Sequence, residues 1–196
     1  MATMLFQGHG SYRLETEDGI VVYVDPFAGE GYDVQADLIL ITHEHFDHNQ
    51  TDKVPQKETT KIYRAADMLQ NGVYRSICEY GIRVTAVPAY NKNHDPNACV
   101  GYVVEMDQVK MYLAGDTSET AYMPELAKQA LDYAILPTDG VFNMDVEEAS
   151  RCAAIIGAKH SIPIHMKPGG IFDKETAEKF RAAGKLIVLP GEKIKL

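Results

Sequence analysis

Cysteine is scarce in this chain. Cys78, Cys99 and Cys152 lie far apart, and no Cys-x-x-Cys pair occurs. An odd number without paired spacing excludes a disulfide framework or a thiolate zinc site as the organising device. Cys99 and Cys152 sit among apolar neighbours and read as small core residues. Positive charge is also short: Lys and Arg number 19 against 28 Asp and Glu, for a formal net charge of -9. A general nucleic-acid surface or an anionic-membrane surface needs clustered basic charge, so neither partner is expected. No apolar run reaches the length of a membrane span, and Met1-Ala2-Thr3-Met4-Leu5-Phe6 lacks the basic start and apolar core of a signal peptide. The expected location is the cytoplasm. No repeat, low-complexity tract or linker interrupts the 196 residues, so a single domain over 1–196 is expected.

What is present is concentrated in one stretch. The apolar run Leu38-Ile39-Leu40-Ile41 leads directly into Thr42-His43-Glu44-His45-Phe46-Asp47-His48. Imidazole and carboxylate side chains are the usual ligands of zinc and its neighbours in the first transition row. In extended backbone His43 and His45 point to one side, because side chains alternate with period two. Asp47 and His48 fall on the following turn, aimed back at the same point. The pattern HxHxDH can therefore serve two adjacent metal ions. A chance cluster of solvated polar residues is the bland alternative, and the strand-then-turn context weighs against it.

Together with Gly115-Asp116-Thr117 and Ile162-Pro163-Ile164-His165, this stretch resembles the metallo-β-lactamase-fold hydrolases. The likeness is to the small branch related to ascorbate-6-phosphate lactonase, and it spans nearly the whole chain, from Gly8-His9 to the last Leu-Pro-Gly. The resemblance implies two divalent metal ions, zinc first, with manganese, nickel or iron as alternatives. A site for two dications needs a negative group between them. Asp116 suits that role at a strand end where Gly115 lets the backbone turn; a helix N-cap is its plainer reading. His165 resembles the family's last ligand, completing the ion held by Asp47 and His48. His94 matches the third ligand of the His43/His45 ion by order along the chain, although a lone loop histidine is ordinarily just solvated. His9, between two glycines, is expected near the metals as a substrate contact or a support. Asp25 is expected to orient a ligand histidine through its second N–H, and His160 is read as structural. Lys167, Gly169-Gly170, Tyr90 and the loop 138–143 are expected to line the mouth, with Asp139 adding negative charge there.

The alternation of strands with helices fits an α/β (α+β) fold, a four-layer αββα sandwich with the site along one edge of its two sheets. Helices are expected over 48–54, 65–69, 73–80, 117–128, 146–156 and 174–183, and 186–189 is expected to be the last full strand. The expected activity is hydrolysis of a small ester or lactone by a metal-bridging hydroxide, with Asp47, Asp116 and His9 in the catalytic machinery. Three other readings stand beside it: a phosphodiesterase or ribonuclease of the same fold, a di-iron redox protein, and a non-enzymatic metal-dependent binding module. The expected partner is a small-molecule substrate, with a homo-oligomer as the default assembly.

Overall fold

The computed structural model describes all residues 1–196. Strands β1 (Thr3–Gly8), β2 (Ser11–Glu15), β3 (Val21–Val24), β4 (Ala36–Leu40), β5 (Gln56–Tyr63) and β14 (Lys193–Lys195) form one six-stranded sheet in the order β14-β1-β2-β3-β4-β5. Strands β8 (Ser76–Glu79), β9 (Ile82–Pro88), β10 (Val100–Met106), β11 (Val109–Leu113), β12 (Tyr133–Pro137) and β13 (His160–Ile164) form a second in the order β13-β12-β11-β10-β9-β8. A two-stranded hairpin, β6 (Leu69–Gln70) with β7 (Val73–Tyr74), and helices α1 (Ala65–Met68), α2 (Met123–Leu126), α3 (Val146–Ile156) and α4 (Lys174–Lys179) complete the chain.

Period-two patterning places the layers. Val22, Val24, Leu38 and Leu40 of the first sheet meet Tyr102, Val104, Leu113 and Ile135 of the second in one buried core between the sheets. The alternate residues Tyr112, Ala134 and Leu136 face outward into a second core under α2, α3 and Phe180 at the end of α4. On the outer face of the first sheet, Tyr23, Ile39 and Ile41 are covered by Tyr32 and Val54. Tyr32 belongs to the 27–35 loop and stacks on Tyr23 at 5.7 Å, while Val54 follows a 3-10 turn at Thr51–Lys53. The architecture is the expected mixed α/β double-sheet sandwich, helical on one outer face and covered by a loop and one turn on the other.

Several elements differ from the sequence expectation. The 73–80 segment is strand, because Asn71-Gly72 adopts positive φ (52° and 75°) and closes the β6–β7 hairpin instead of separating two helices. Ser76–Glu79 then pairs antiparallel with β9. The helix expected over 117–128 shrinks to α2 and a 3-10 turn at Ala127–Gln129, with Pro124 in its first turn. In the 48–54 segment only the Thr51–Lys53 turn is helical, and α4 stops at Lys179, short of Ala183. Leu186–Leu189 does not form a strand. It touches β13 through one bridge, Ser161 to Lys185, and Gly191 then carries the chain back to Phe6, where β14 pairs with β1.

Strand direction positions the site. β2 runs antiparallel to both β1 and β3, and β3 parallel to β4, so β1, β3 and β4 all point one way. In the second sheet β9, β11, β12 and β13 share one direction by the same logic. His9, Asp25, the 42–48 segment, His94, Asp116, Asp139 and His165 each follow the C-terminal end of one of these seven strands. The loops that carry chemistry therefore gather along one edge of the sandwich.

Candidate metal centre

Backbone geometry at this edge is unusual. His9, Asp25 and His165 have positive φ values of 53°, 44° and 45°. Non-glycine residues held there cost about 1–3 kcal/mol each and persist only where their surroundings enforce them. The enforcement is visible: His9 N–H donates to the Ile171 carbonyl (2.7 Å), and His165 N–H donates to the His9 carbonyl (2.8 Å). Gly115, at φ 60°, lets the end of β11 approach Thr42; a Cβ there would lie 2.8 Å from the Thr42 Cβ.

The side chains converge. His43, His45 and His94 form one group of possible metal donors, with all ligand atoms within 4.8 Å of one another, and His9, Asp47, His48 and His165 form another. Asp116 stands between them. Its Oδ2 lies 3.2 Å from His94 Nε2, 4.0 Å from His43 Nε2 and 3.5 Å from His165 Nε2, and its Oδ1 lies 3.4 Å from His48 Nε2. Asp47 Oδ2 lies 3.1 Å from His9 Nε2 and 3.7 Å from His165 Nε2. All of these side chains are buried except His45, which is exposed, and Asp47, which is half-buried. Asp116 caps no helix. His160 lies at the opposite end of β13, against the Tyr133 ring.

The opposite edges of the imidazoles are already taken. Thr42 Oγ1 donates to Asp25 Oδ2 (2.6 Å) and lies 3.0 Å from His43 Nδ1, while His48 Nδ1 lies 2.9 Å from the same Asp25 oxygen. His94 Nδ1 lies 2.9 Å from Asn91 Oδ1, and His165 Nδ1 lies 3.0 Å from Asp139 Oδ2. With Nδ1 of His43, His48 and His94 hydrogen-bonded there and Nδ1 of His165 against Asp139, the Nε2 atoms of all four rings point at a carboxylate, acceptor against acceptor. Five of the ten buried side-chain polar atoms that lack a hydrogen-bond partner are these four Nε2 atoms and Asp116 Oδ1. Each such atom costs roughly 1–3 kcal/mol if left unmet. Only cations resolve this arrangement, so the donor set fits divalent metal ions.

Without metal, protons take that place. His48 and His165 are raised, His165 to about 9; burial opposes this, but Asp116 next to both rings, with Asp25 behind His48 and Asp139 behind His165, outweighs it. His43, buried and next to His48, is pushed down to about 2. Asp116 and Asp47 lie well below the usual carboxylate range; burial opposes the shift, and the adjacent imidazoles prevail.

Asp139 differs from the sequence expectation. Its side chain is fully buried and turned away from the mouth, and its Oδ1 accepts backbone N–H bonds from Val141 and Phe142, both 2.7 Å. Its negative charge thus supports His165 and does not line the opening. Asn143, in the loop expected at the mouth, instead bridges Asn91 and Asp139 behind the donors, and the role of Asn91 is announced only by its place three residues before His94.

The cavity over the donors has a volume of about 270 Å³ and is lined by His45, Phe46, Asp47, Asn93, His94, Asp116, Phe142 and His165. Lys167 and Tyr90 are outside this lining. Larger cavities of about 610 and 670 Å³ lie elsewhere, lined mainly by solvated charged residues such as Arg83, Lys110 and Arg151. Only the smaller one has convergent buried donors, which makes it the functional candidate.

A double-sheet sandwich with His and Asp donors gathered on one edge defines a metallo-hydrolase of the β-lactamase type. The family model for the beta-lactamase superfamily domain matches residues 3–165. A UPF0173 metal-dependent hydrolase from Thermococcus onnurineus is 31% identical over the full length of both chains. Another, from Methanoregula boonei, is 37% identical over 74% of this chain and 73% of its own. The crystal structure of a candidate metal-dependent hydrolase from Parabacteroides distasonis superimposes with a TM-score of 0.81 at 29% identity, covering 95% of this chain and 92% of that one. The chain belongs to the beta-lactamase superfamily and, within it, to the UPF0173 metal-dependent hydrolases. No helix is long and apolar enough to cross a membrane.

Proposed function

We propose that the chain holds two divalent metal ions, zinc first among them, and hydrolyses small uncharged esters or lactones that carry an apolar portion. In this reading His43, His45 and His94 bind one ion, Asp47, His48 and His165 the other, and Asp116 lies between both. Divalent ions held by these residues would supply Lewis-acid chemistry, polarising a carbonyl and lowering the pKa of water towards neutrality without a separate strong base.

The observation that carries the substrate class is the cavity lining. Phe46 and Phe142, 70% and 48% exposed, line the cavity over the donors, and the charged groups around them are the carboxylates Asp47 and Asp116. Exposed phenyl rings flanking a small polar floor suit an acyl or ring carbon skeleton, and the carboxylates disfavour a polyanion. Asp47 Oδ2, at the cavity wall, lies 3.1 Å from His9 Nε2, which places His9 to receive a proton released there. The His9 ring is fixed for this by its Nδ1, which donates to the Gly170 carbonyl at 3.0 Å.

The test is a comparative assay of the metal-loaded chain on nitrophenyl butyrate, on γ- and δ-lactones and on bis-nitrophenyl phosphate. The expected result is higher kcat/KM on esters and lactones, abolished by chelation and restored by metal. Preference for the phosphodiester would replace the substrate class. Metal binding without turnover on any substrate would favour a binding module.

A further inference from the structure

Behind the donors run two hydrogen-bonded networks, one in each sheet. In the first sheet, Asp25 receives Thr42 N–H at its Oδ1 (2.8 Å) and Thr42 O–H at its Oδ2, and Thr42 Oγ1 in turn meets His43 Nδ1. The same Asp25 Oδ2 meets His48 Nδ1. This network therefore holds one imidazole from each proposed metal site. In the second sheet, His94 Nδ1 meets Asn91 Oδ1, Asn91 Nδ2 donates to Asn143 Oδ1 (3.2 Å), and Asn143 Nδ2 donates to Asp139 Oδ2 (2.8 Å). That oxygen faces His165 Nδ1. This second network also joins one imidazole from each site.

His9 backs Asp47 alone, but the supports behind His43, His48, His94 and His165 are shared, since each network serves one imidazole of either site. We infer that the two metal sites fill and empty as a unit, with Asn143 and Thr42 as the positioning residues that couple them; the inference rests on the two-metal reading above. Ordering His94 around one ion fixes Asn91 and Asn143, which holds Asp139 in place and with it His165. Ordering His43 does the same for His48 through Thr42 and Asp25. The second ion then meets ligands already oriented, so the orientational cost of the pair is met once.

The experiment is a stepwise chelator challenge of the metal-loaded full chain, with ions per chain counted by elemental mass spectrometry. The variants are Asn143→Ala and the near-isosteric Thr42→Val. The wild type is expected to pass from two ions to none without a one-ion stage. Each variant is expected to show a one-ion stage, with its first ion lost at about tenfold lower chelator, the lower end of what outer-sphere changes cost a metal site. Loss of the wild-type ions one at a time overturns the inference alone, as does joint release from both variants. A wild-type chain that never holds more than one ion overturns the two-metal reading and the inference with it. Circular dichroism of the metal-free variants checks folding. The two substitutions lie in different sheets, so if one variant misfolds the other still decides.

Discussion

The two halves of the donor cluster are built from different chemistry. The His43/His45/His94 half is supported by neutral groups, Thr42 and Asn91, and one of its rings, His45, is exposed. The Asp47/His48/His165 half contains a carboxylate and is backed by two more, Asp25 and Asp139. The first half has the lower affinity for protons, with His43 down at about 2, and the second has the higher, with His165 up at about 9. Burial and the neighbouring His48 lower His43, whereas at His165 burial is outweighed by Asp116, joined by Asp139 and Asp47. Metal uptake at His165 must therefore displace a proton, whereas His43 has none to lose.

The largest expected effect comes from removing what the halves share. Asp116→Ala should abolish hydrolysis and bring metal content from about two ions towards none, because both donor groups lose a shared carboxylate and the two dications lose the negative charge between them; retention of metal and activity together would break the account. Next, His94→Ala acts on the neutral half alone. Metal content should fall towards one ion per chain and kcat should collapse, and an unchanged count would remove His94 from the ligand set.

A pH titration sharpens the contrast. In the metal-free chain the raised His165 pKa stabilises the protonated form: the contribution is full below its ordinary value of 6.5 and is lost as pH rises through about 9. Metal affinity of the anionic half should therefore climb across that window, by up to tenfold per pH unit for each proton released, and level off above it. His43 should contribute nothing to such a climb, because it is already unprotonated. Calorimetry in buffers of different ionisation enthalpy counts the released protons, and a proton count near zero between these pH values would contradict the picture. The smallest expected effect lies at the rim. Phe142→Ala should raise KM for a butyrate ester by about threefold to tenfold with kcat nearly unchanged, in line with the partial burial of one apolar side chain. An equal loss on a short acetate ester would mean that Phe142 shapes the donors and not the substrate.

Much of this was legible along the chain. Asp145 before Val146–Ile156 and Gly157 after it mark a helix whose cap is seen in the bond from Glu148 N–H to Asp145 Oδ1 (2.8 Å). The unbroken apolar runs Val21–Val24 and Tyr133–Pro137 mark strands buried on both faces. The residues singled out as donors, His43 to His48, His94, Asp116 and His165, are brought within a few ångströms of one another. The segments read wrongly were short and locally ambiguous. Val73–Tyr80 carries spacing that suits either state, and only pairing with β9 settles it as a strand.

The sequence by itself determined the chemistry of the centre. Seven His and Asp side chains placed after apolar strand segments are a donor set whatever their partners, because alternation and turn residues act over a few positions. Only the tertiary structure decided how the donors are backed. Thr42 with Asp25, and Asn91 with Asn143 and Asp139, are common polar residues whose meaning depends on contacts 17 to 52 positions away in the chain. Such contacts follow from sheet order and strand direction, so no local pattern announces them. The buried Asp139 is the clearest case: in sequence it is a loop acid at the mouth, and in the fold it is the anion behind His165.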